Sequence, residues 1–175
     1  RNNERTRVTN RISYRMNHND IQNIFEQARQ DPECLSNINI DELLDETNDV
    51  KNDYLQDKTI QEIQQNIHEA LSESLHGQID IVPYTEKLKD YRLVDEVGEL
   101  HIGKHIRWMR RGTTKLTNGG IVVEVKFLDK GINVLCKNAI HRFIQIKYDD
   151  CLIFQKLSID EQLILTVNQH VQLSS

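Results

Sequence analysis

Two adjacent acidic residues, Asp149 and Asp150, have the type and spacing that metal-dependent chemistry requires. They stand between two apolar runs, and a carboxylate pair in such a place can hold Mg²⁺ for nucleotidyl transfer. That chemistry also needs a third carboxylate on a neighbouring strand and a far larger fold. A tight turn between two strands has the same composition, because Asp side chains bond to nearby backbone groups. We therefore interpret the pair as a turn.

His101 and His105 are spaced as two metal ligands on one helical turn would be. Gly103 between them and the strand pattern that begins at Ile106 argue against a helix. A third ligand would have to come from Cys136, Cys151 or His141, brought close by folding. The chain also lacks a GxSxG nucleophile motif and a phosphate-binding glycine loop before a helix. The sequence therefore predicts no catalytic residues, no metal and no cofactor, and a protein that is not an enzyme.

Five short runs of alternating apolar and polar residues occupy the stretch from His105 to Leu157. They are HIRWMRR, IVVEVKFL, INVLCK, RFIQIKY and CLIFQKL, and turn signals separate most of them. Such alternation is typical of strands with one buried face. Five strands joined by tight turns predict a small antiparallel barrel of the SH3-like type. Trp108 is expected in its core, with a rim position for ligand contact as the alternative. Three phenylalanines on the apolar stripes are also expected in the core, Phe127, Phe143 and Phe154.

The strongest helix signal begins at Thr59. Thr59 and Glu62 form a capping box, and Gly77 suits the position after a helix end. Apolar residues recur between them at spacings of three and four: Ile60, Ile63, Ile67, Leu71 and Leu75. This stripe must pack either on the sheet or on another chain, so its residues are candidates for partner binding. A second capping box, Ser158 and Glu161, predicts a C-terminal helix.

The predicted class is α+β, with four segments. Residues 1–18 form a basic flexible arm and 19–77 a helical acidic segment, whose first helix begins at Asn19 and whose second lies near 41–46. Residues 78–104 are a linker with an edge strand before Pro83. Residues 105–175 form the small barrel with its C-terminal helix.

Charge is unevenly distributed along the chain. Residues 1–19 hold five Arg and one Glu, residues 20–100 hold 20 acids and six bases, and residues 101–175 hold 11 bases and six acids. Such a division suggests attraction between parts of the chain or to a charged partner, although an ordinary solvated surface explains it equally well. Three cysteines without metal spacing indicate a reducing compartment. The sequence contains no run of about 18 apolar residues, so it predicts no transmembrane helix.

A cluster of basic residues surrounds the first predicted strand and is the second candidate surface: Lys104, Arg107, Arg110, Arg111 and Lys115. A barrel with a basic face and exposed aromatic rings can bind single-stranded nucleic acid. The expected burial of the phenylalanines and the acidic middle segment argue against that function. The same basic surface could instead receive an acidic protein segment.

The run YRLVDEVGELHIGKHIRWMRR, with TNGGIVVEV and NAIHRFIQIKYDDCLIFQKLSIDEQLIL, resembles small proteins of nucleocytoplasmic large DNA viruses. The stretch GKHIRW…GGIVVEV is also similar to the opening strands of SH3-like barrels. The viral resemblance implies a minor capsid or capsid-associated protein of the virion, assembled in the host cytoplasm.

These observations together predict a non-enzymatic structural protein that acts through protein–protein contacts, with capsid proteins or other copies of itself as partners. The alternative is a nucleic-acid-binding module that uses the basic residues.

Overall fold

The computed structural model describes residue 23, residues 50–77 and residues 79–174. Three α-helices and six strands follow in chain order: α1 (Ile60–Ser74), α2 (Val82–Lys87), β1 (Tyr91–Leu93), β2 (His105–Arg110), β3 (Gly120–Leu128), β4 (Gly131–Lys137), β5 (Phe143–Lys147), β6 (Cys151–Lys156) and α3 (Ile159–Ser174). Short 3₁₀ helices span Val50–Leu55 and Val97–Glu99. The class is α+β, with the C-terminal helix that the sequence predicts. Across these described ranges no helix combines the length and the apolar character that crossing a bilayer requires.

The strands form one antiparallel, open sheet in the order β1-β6-β2-β3-β4-β5. The prediction of a closed five-stranded barrel is therefore wrong, because β1 and β5 lie at opposite edges and do not pair. The sixth strand, β1, lies in the stretch predicted as a linker and pairs with β6. Three residues are too short to show an alternating pattern, which is why sequence periodicity missed this strand.

The edge strand expected before Pro83 is also wrong in position. Helix α2 begins at Val82, and Pro83 lies in its first turn, where the missing N–H of proline costs nothing. Each of the five predicted strands is present, and Asp149 and Asp150 lie in the turn between β5 and β6. The predicted helices, one from Asn19 to Pro32 and one near 41–46, lie outside the described residues, except for Asn23, which is helical.

Helix α1 packs on the sheet, which is the first of the two alternatives that its apolar stripe allowed. The Thr59 hydroxyl accepts a hydrogen bond from the Glu62 N–H at 3.2 Å, and the Glu62 carboxylate accepts one from the Thr59 N–H at 2.7 Å. Ile67, Leu71 and Leu75 are buried against the sheet together with Met109, Leu152 and Phe154. Ile63 is buried with α3 residues, and Ile60 packs beside it. Because this stripe forms core contacts within one chain, α1 belongs to the folded domain.

The two faces of the sheet are buried in different ways. The inner face, which carries Val122, Val134, Cys136, Ile146 and Ile153, folds onto itself into one core cluster with Trp108. The outer face is covered by α1, but only over β1, β6 and β2. Trp108 and Phe154 are buried as predicted, at 7% and 0% exposure.

The expected burial of two phenylalanines is wrong. Phe127 is 71% exposed and Phe143 is 61% exposed. Alternation along a strand shows which side chains share a face, but it does not show whether another element covers that face. Phe143 lies on the outer face of β5, beyond the reach of α1, whereas Phe127 lies near the end of β3 on the inner side and is not part of the inner core cluster.

A buried arginine joins the sheet to the helical elements. The Arg92 side chain, 1% exposed, lies 3.0 Å from the Glu99 carboxylate and 3.6 Å from that of Glu161 on α3. Its guanidinium also stacks 4.0 Å from the centre of the Tyr54 ring, and the Tyr54 hydroxyl donates to Glu161. Burial, and next the Glu161 charge, raise the pKa of Tyr54. A buried charge needs such partners, so these elements converge on Arg92.

Substitution of Arg92 should destabilise the fold strongly. In Arg92→Ala the Glu161 carboxylate remains buried without its cation, and we expect a loss of about 3–5 kcal/mol in the free energy of unfolding. Arg110→Ala is the matched control, because its side chain is exposed and its loss should stay below about 0.5 kcal/mol. Urea unfolding followed by circular dichroism measures both. Equal losses in the two variants would contradict the assigned role of Arg92.

Candidate functional site

A groove of about 680 Å³ opens at the end of the sheet where β3 begins and β4 turns into β5. We call it the end groove. Its apolar lining comes from Trp108, Ile121, Ile140 and Ile144, and its polar lining includes His105, Lys137 and His141. Ile121 and Ile140 are 48% and 67% exposed, although both are large apolar side chains. Lys137 is the one formally charged residue among the lining residues at neutral pH.

Two glycines allow the strands to approach closely at this groove. Gly119 has a φ of +82°, and a Cβ there would lie 1.9 Å from the Ile106 carbonyl oxygen. A Cβ on Gly120 would lie 2.7 Å from the Lys137 carbonyl oxygen. Any side chain at these positions would push β3 away from β2 or β4. In the sequence, Gly119-Gly120 indicates a turn. In the structure, the two glycines also permit this close approach of the backbones.

One row of paired residues crosses the outer face from the covered half to the uncovered half. His105 pairs with Ile121, Ile121 with Lys137, and Lys137 with Phe143. His105 is half-buried, whereas the other three side chains are exposed. We call Ile121, Lys137 and Phe143 the outer row. It continues the end groove across β3, β4 and β5, and α1 does not cover it.

The charges around the end groove are held by local contacts. The Lys137 Nζ lies 5.9 Å from the centre of the Phe143 ring, which is within the range of a cation–π contact. The His105 Nδ1 lies 3.1 Å from the Tyr91 hydroxyl. Burial, and next the Arg107 and Lys156 charges, lower the pKa of His105. His105 is therefore neutral at pH 7, and Lys137 supplies the positive charge of the site.

The turn that forms one wall of the groove is rigidly bonded. The Asn138 side-chain oxygen accepts hydrogen bonds from the Ile140 N–H at 3.1 Å and from the Arg142 N–H at 2.9 Å. His141 has a φ of +60°, a left-handed conformation that this turn requires. The turn thereby holds the exposed Ile140 side chain at the groove.

The five predicted basic residues do not form one surface. Arg107 lies with its guanidinium 5.6 Å from the Tyr91 ring on the outer face. Arg110 is three positions further along the same strand and therefore lies on the opposite face. Arg110 and Arg111 line a separate cavity of about 450 Å³ that also contains the carboxylates of Asp149 and Asp150. Lys104 is half-buried before β2, and Lys115 is exposed after it.

The residues weighed as metal ligands have other contacts. The His101 Nδ1 lies 3.2 Å from the Gln155 amide nitrogen, while His105 contacts Tyr91. Cys136 and Cys151 are buried free thiols, and burial raises the pKa of Cys136 to about 12. The part of the chain that the structure describes contains no group of three His, Cys, Asp or Glu that could hold a metal ion.

No family model matches this chain, and neither a curated protein nor a solved structure matches it.

Substitution of Gly119 tests the close approach that shapes the groove. In Gly119→Ala the added Cβ meets the Ile106 carbonyl oxygen and the backbone keeps a positive φ, so we expect a loss of more than about 2 kcal/mol in stability. Gly112→Ala is the matched control, because Gly112 also has a positive φ but open space around it, and its cost should be about 1–2 kcal/mol. Chemical denaturation compares them. A smaller loss for Gly119→Ala than for Gly112→Ala would contradict this geometry.

Proposed function

We propose that this chain is a non-enzymatic subunit of a larger assembly and binds another protein through the end groove and the outer row. The observation that supports this proposal is the concentration of exposed large apolar side chains at the end groove and the outer row. Ile121, Ile140 and Phe143 are 48%, 67% and 61% exposed at one end of the sheet, beyond the strands that α1 covers. Exposed large apolar side chains grouped in this way are typical of protein interaction sites.

The lining of the groove defines the chemistry of the partner. Its floor is apolar, so it suits an aliphatic or aromatic side chain of the partner. Lys137 is positively charged at its rim, and the described lining residues include no carboxylate. A partner segment with an apolar anchor and neighbouring acidic residues would therefore complement both features.

We propose the particle of a large DNA virus as the setting of this assembly, with a role as a minor capsid or capsid-associated protein. The resemblance of residues 91–170 to small proteins of such viruses supports this setting. The capsid proteins of the particle would then be the binding partners. Purified particles that lack the protein would overturn the setting while leaving the interaction surface in place.

An acidic substitution in the outer row should abolish the interaction without unfolding the protein. In Ile121→Asp a carboxylate would enter the interface, where an unpaired charge is costly, so recovery of the partner should fall at least about tenfold. Val82→Asp is the matched control, because Val82 is 59% exposed on α2 and lies outside the groove. Tagged full-length variants are purified from cells that make the assembly, and co-purifying proteins are quantified. Equal recovery with Ile121→Asp and Val82→Asp would contradict the proposal.

A second candidate function is the binding of single-stranded nucleic acid, and the unexpected exposure of Phe127 and Phe143 favours it. Exposed aromatic rings beside Lys and Arg can stack on bases and attract phosphates. Phe143 indeed lies beside Lys137. However, register places Phe127 opposite Ile132, on the side of the inner core, whereas Phe143 lies on the outer face. The two rings therefore do not form one stacking platform.

Titration with labelled single-stranded DNA separates the two functions. Because the exposed rings are divided between two faces, we expect binding no tighter than non-specific association, and the same affinity for Phe143→Ala as for the unaltered chain. Measurements at two salt concentrations identify any purely electrostatic attraction. Tight binding that is lost at least about tenfold in Phe143→Ala would favour the nucleic-acid function over protein binding.

A further inference from the structure

Strand β5 forms a free edge of the sheet. Among the residues that the structure describes its only partner is β4, and hydrogen bonds at both ends of the pair show which backbone groups are used. The Tyr148 N–H donates to the Ile132 carbonyl, and the Asn138 N–H donates to the Arg142 carbonyl, both at 2.9 Å. Bonded and non-bonded positions alternate in an antiparallel pair. The even-numbered residues of β5 therefore direct their backbone groups toward β4.

The odd-numbered residues of β5 consequently direct their N–H and C=O groups outward. These residues are Phe143, Gln145 and Lys147, and all three side chains are exposed. A row of outward donors and acceptors with exposed side chains is a template for pairing with another strand. Proteins commonly protect such edges with bulges, prolines or covering elements, and β5 contains no proline.

The opposite edge of the sheet, strand β1, is a poorer template for pairing with another strand. Strand β1 has three residues, and the Arg92 guanidinium lies 3.5 Å from the Leu93 carbonyl oxygen at that edge. Arg92 is also fixed by Glu99 and Glu161. A partner strand therefore finds a longer and more regular template at β5.

We propose that two copies of this chain pair their β5 strands antiparallel about a two-fold axis at Gln145. In this register Gln145 faces its counterpart, and Phe143 of each copy faces Lys147 of the other. Every odd-numbered residue of β5 then exchanges both backbone hydrogen bonds with its opposite residue. The interface is isologous and closes after two copies.

The charges at the two ends of β5 are complementary in this register. Arg142 precedes the strand, whereas Asp149 and Asp150 follow it. The two-fold axis brings the basic end of each copy to the acidic end of the other, which favours this arrangement. Lys147 of one copy does not face Lys147 of the other. It lies against the Phe143 ring of the other copy, which both its aliphatic stem and its charge can contact. A copy of the same chain is therefore the occupant that the edge fits best.

This inference deepens the proposed function, on which it rests. Pairing of β5 would join the outer rows of two copies across a continuous sheet, so that the partner protein meets two adjacent sets of Ile121, Lys137 and Phe143. The dimer contacts Phe143 of the outer row but neither Ile121 nor the end groove, so the dimer and the effect of Ile121→Asp on partner binding are tested separately.

Sedimentation equilibrium of the full chain tests whether the dimer forms, and a cysteine trap tests the register of its strands. Gln145→Cys, in a Cys34→Ser background, places two thiols opposite each other at about 5.5 Å between Cα atoms, which suits a disulfide. Lys147→Cys is the matched control, because its counterpart lies about four residues away along the strand. Under mild oxidation Gln145→Cys should form the disulfide-linked dimer at least about tenfold faster. The remaining Cys136 and Cys151 are buried.

Two further variants separate backbone pairing from side-chain effects. Gln145→Pro removes an outward N–H that has no intrachain role, so the dimer should dissociate, whereas Gln145→Ala should preserve it. A monomer at up to about 0.5 mM, equal cross-linking of Gln145→Cys and Lys147→Cys, or species that grow beyond dimers would each overturn the proposal. If the chain is monomeric and Ile121→Asp still loses its partner, the dimer fails and the proposed function stands.

Discussion

The width of one helix is the constraint on which the rest of this structure depends. A helix with its side chains is about 10–12 Å across, while neighbouring strands lie about 4.8 Å apart, so one helix covers two or three strands. Helix α1 accordingly covers β1, β6 and β2 of a six-stranded sheet. The inner face is buried without a covering helix, because its two halves pack against each other in one core. None of the described helices covers the outer side of β3, β4 and β5.

The two edges of the sheet differ because of charge burial. At the β1 edge, Arg92 draws Tyr54, Glu99 and Glu161 together, so that α3 and the two 3₁₀ helices are fixed against the sheet. Such a network costs desolvation free energy and tolerates only one arrangement of its members. Within the described part of the chain the β5 edge has no comparable network, and its charged residues Arg142, Lys147 and Asp149 are exposed. Stability is therefore concentrated at one end of the sheet, and surface available for binding at the other.

The candidate site was only partly visible in the sequence. Gly119-Gly120 marked a turn, and alternation placed Phe143 on a strand, but neither pattern indicated a groove. Sequence reasoning chose Lys104, Arg107, Arg110, Arg111 and Lys115 because they are close along the chain. The structure distributes them over both faces and the adjoining loops, since consecutive strand residues point in opposite directions. Lys137, which lies at the groove, is not a member of that cluster.

Local chemistry determined what the sequence alone established. The Thr59–Glu62 and Ser158–Glu161 capping boxes form their hydrogen bonds within one helical turn. The alternation of the five strands follows from the pleat of each strand's own backbone. These elements can therefore be predicted without knowledge of tertiary contacts. The tertiary structure alone decided that the sheet stays open, that Tyr91–Leu93 becomes its sixth strand, and that Phe143 is exposed. Each of these outcomes depends on which distant element covers a surface, and no local pattern carries that information.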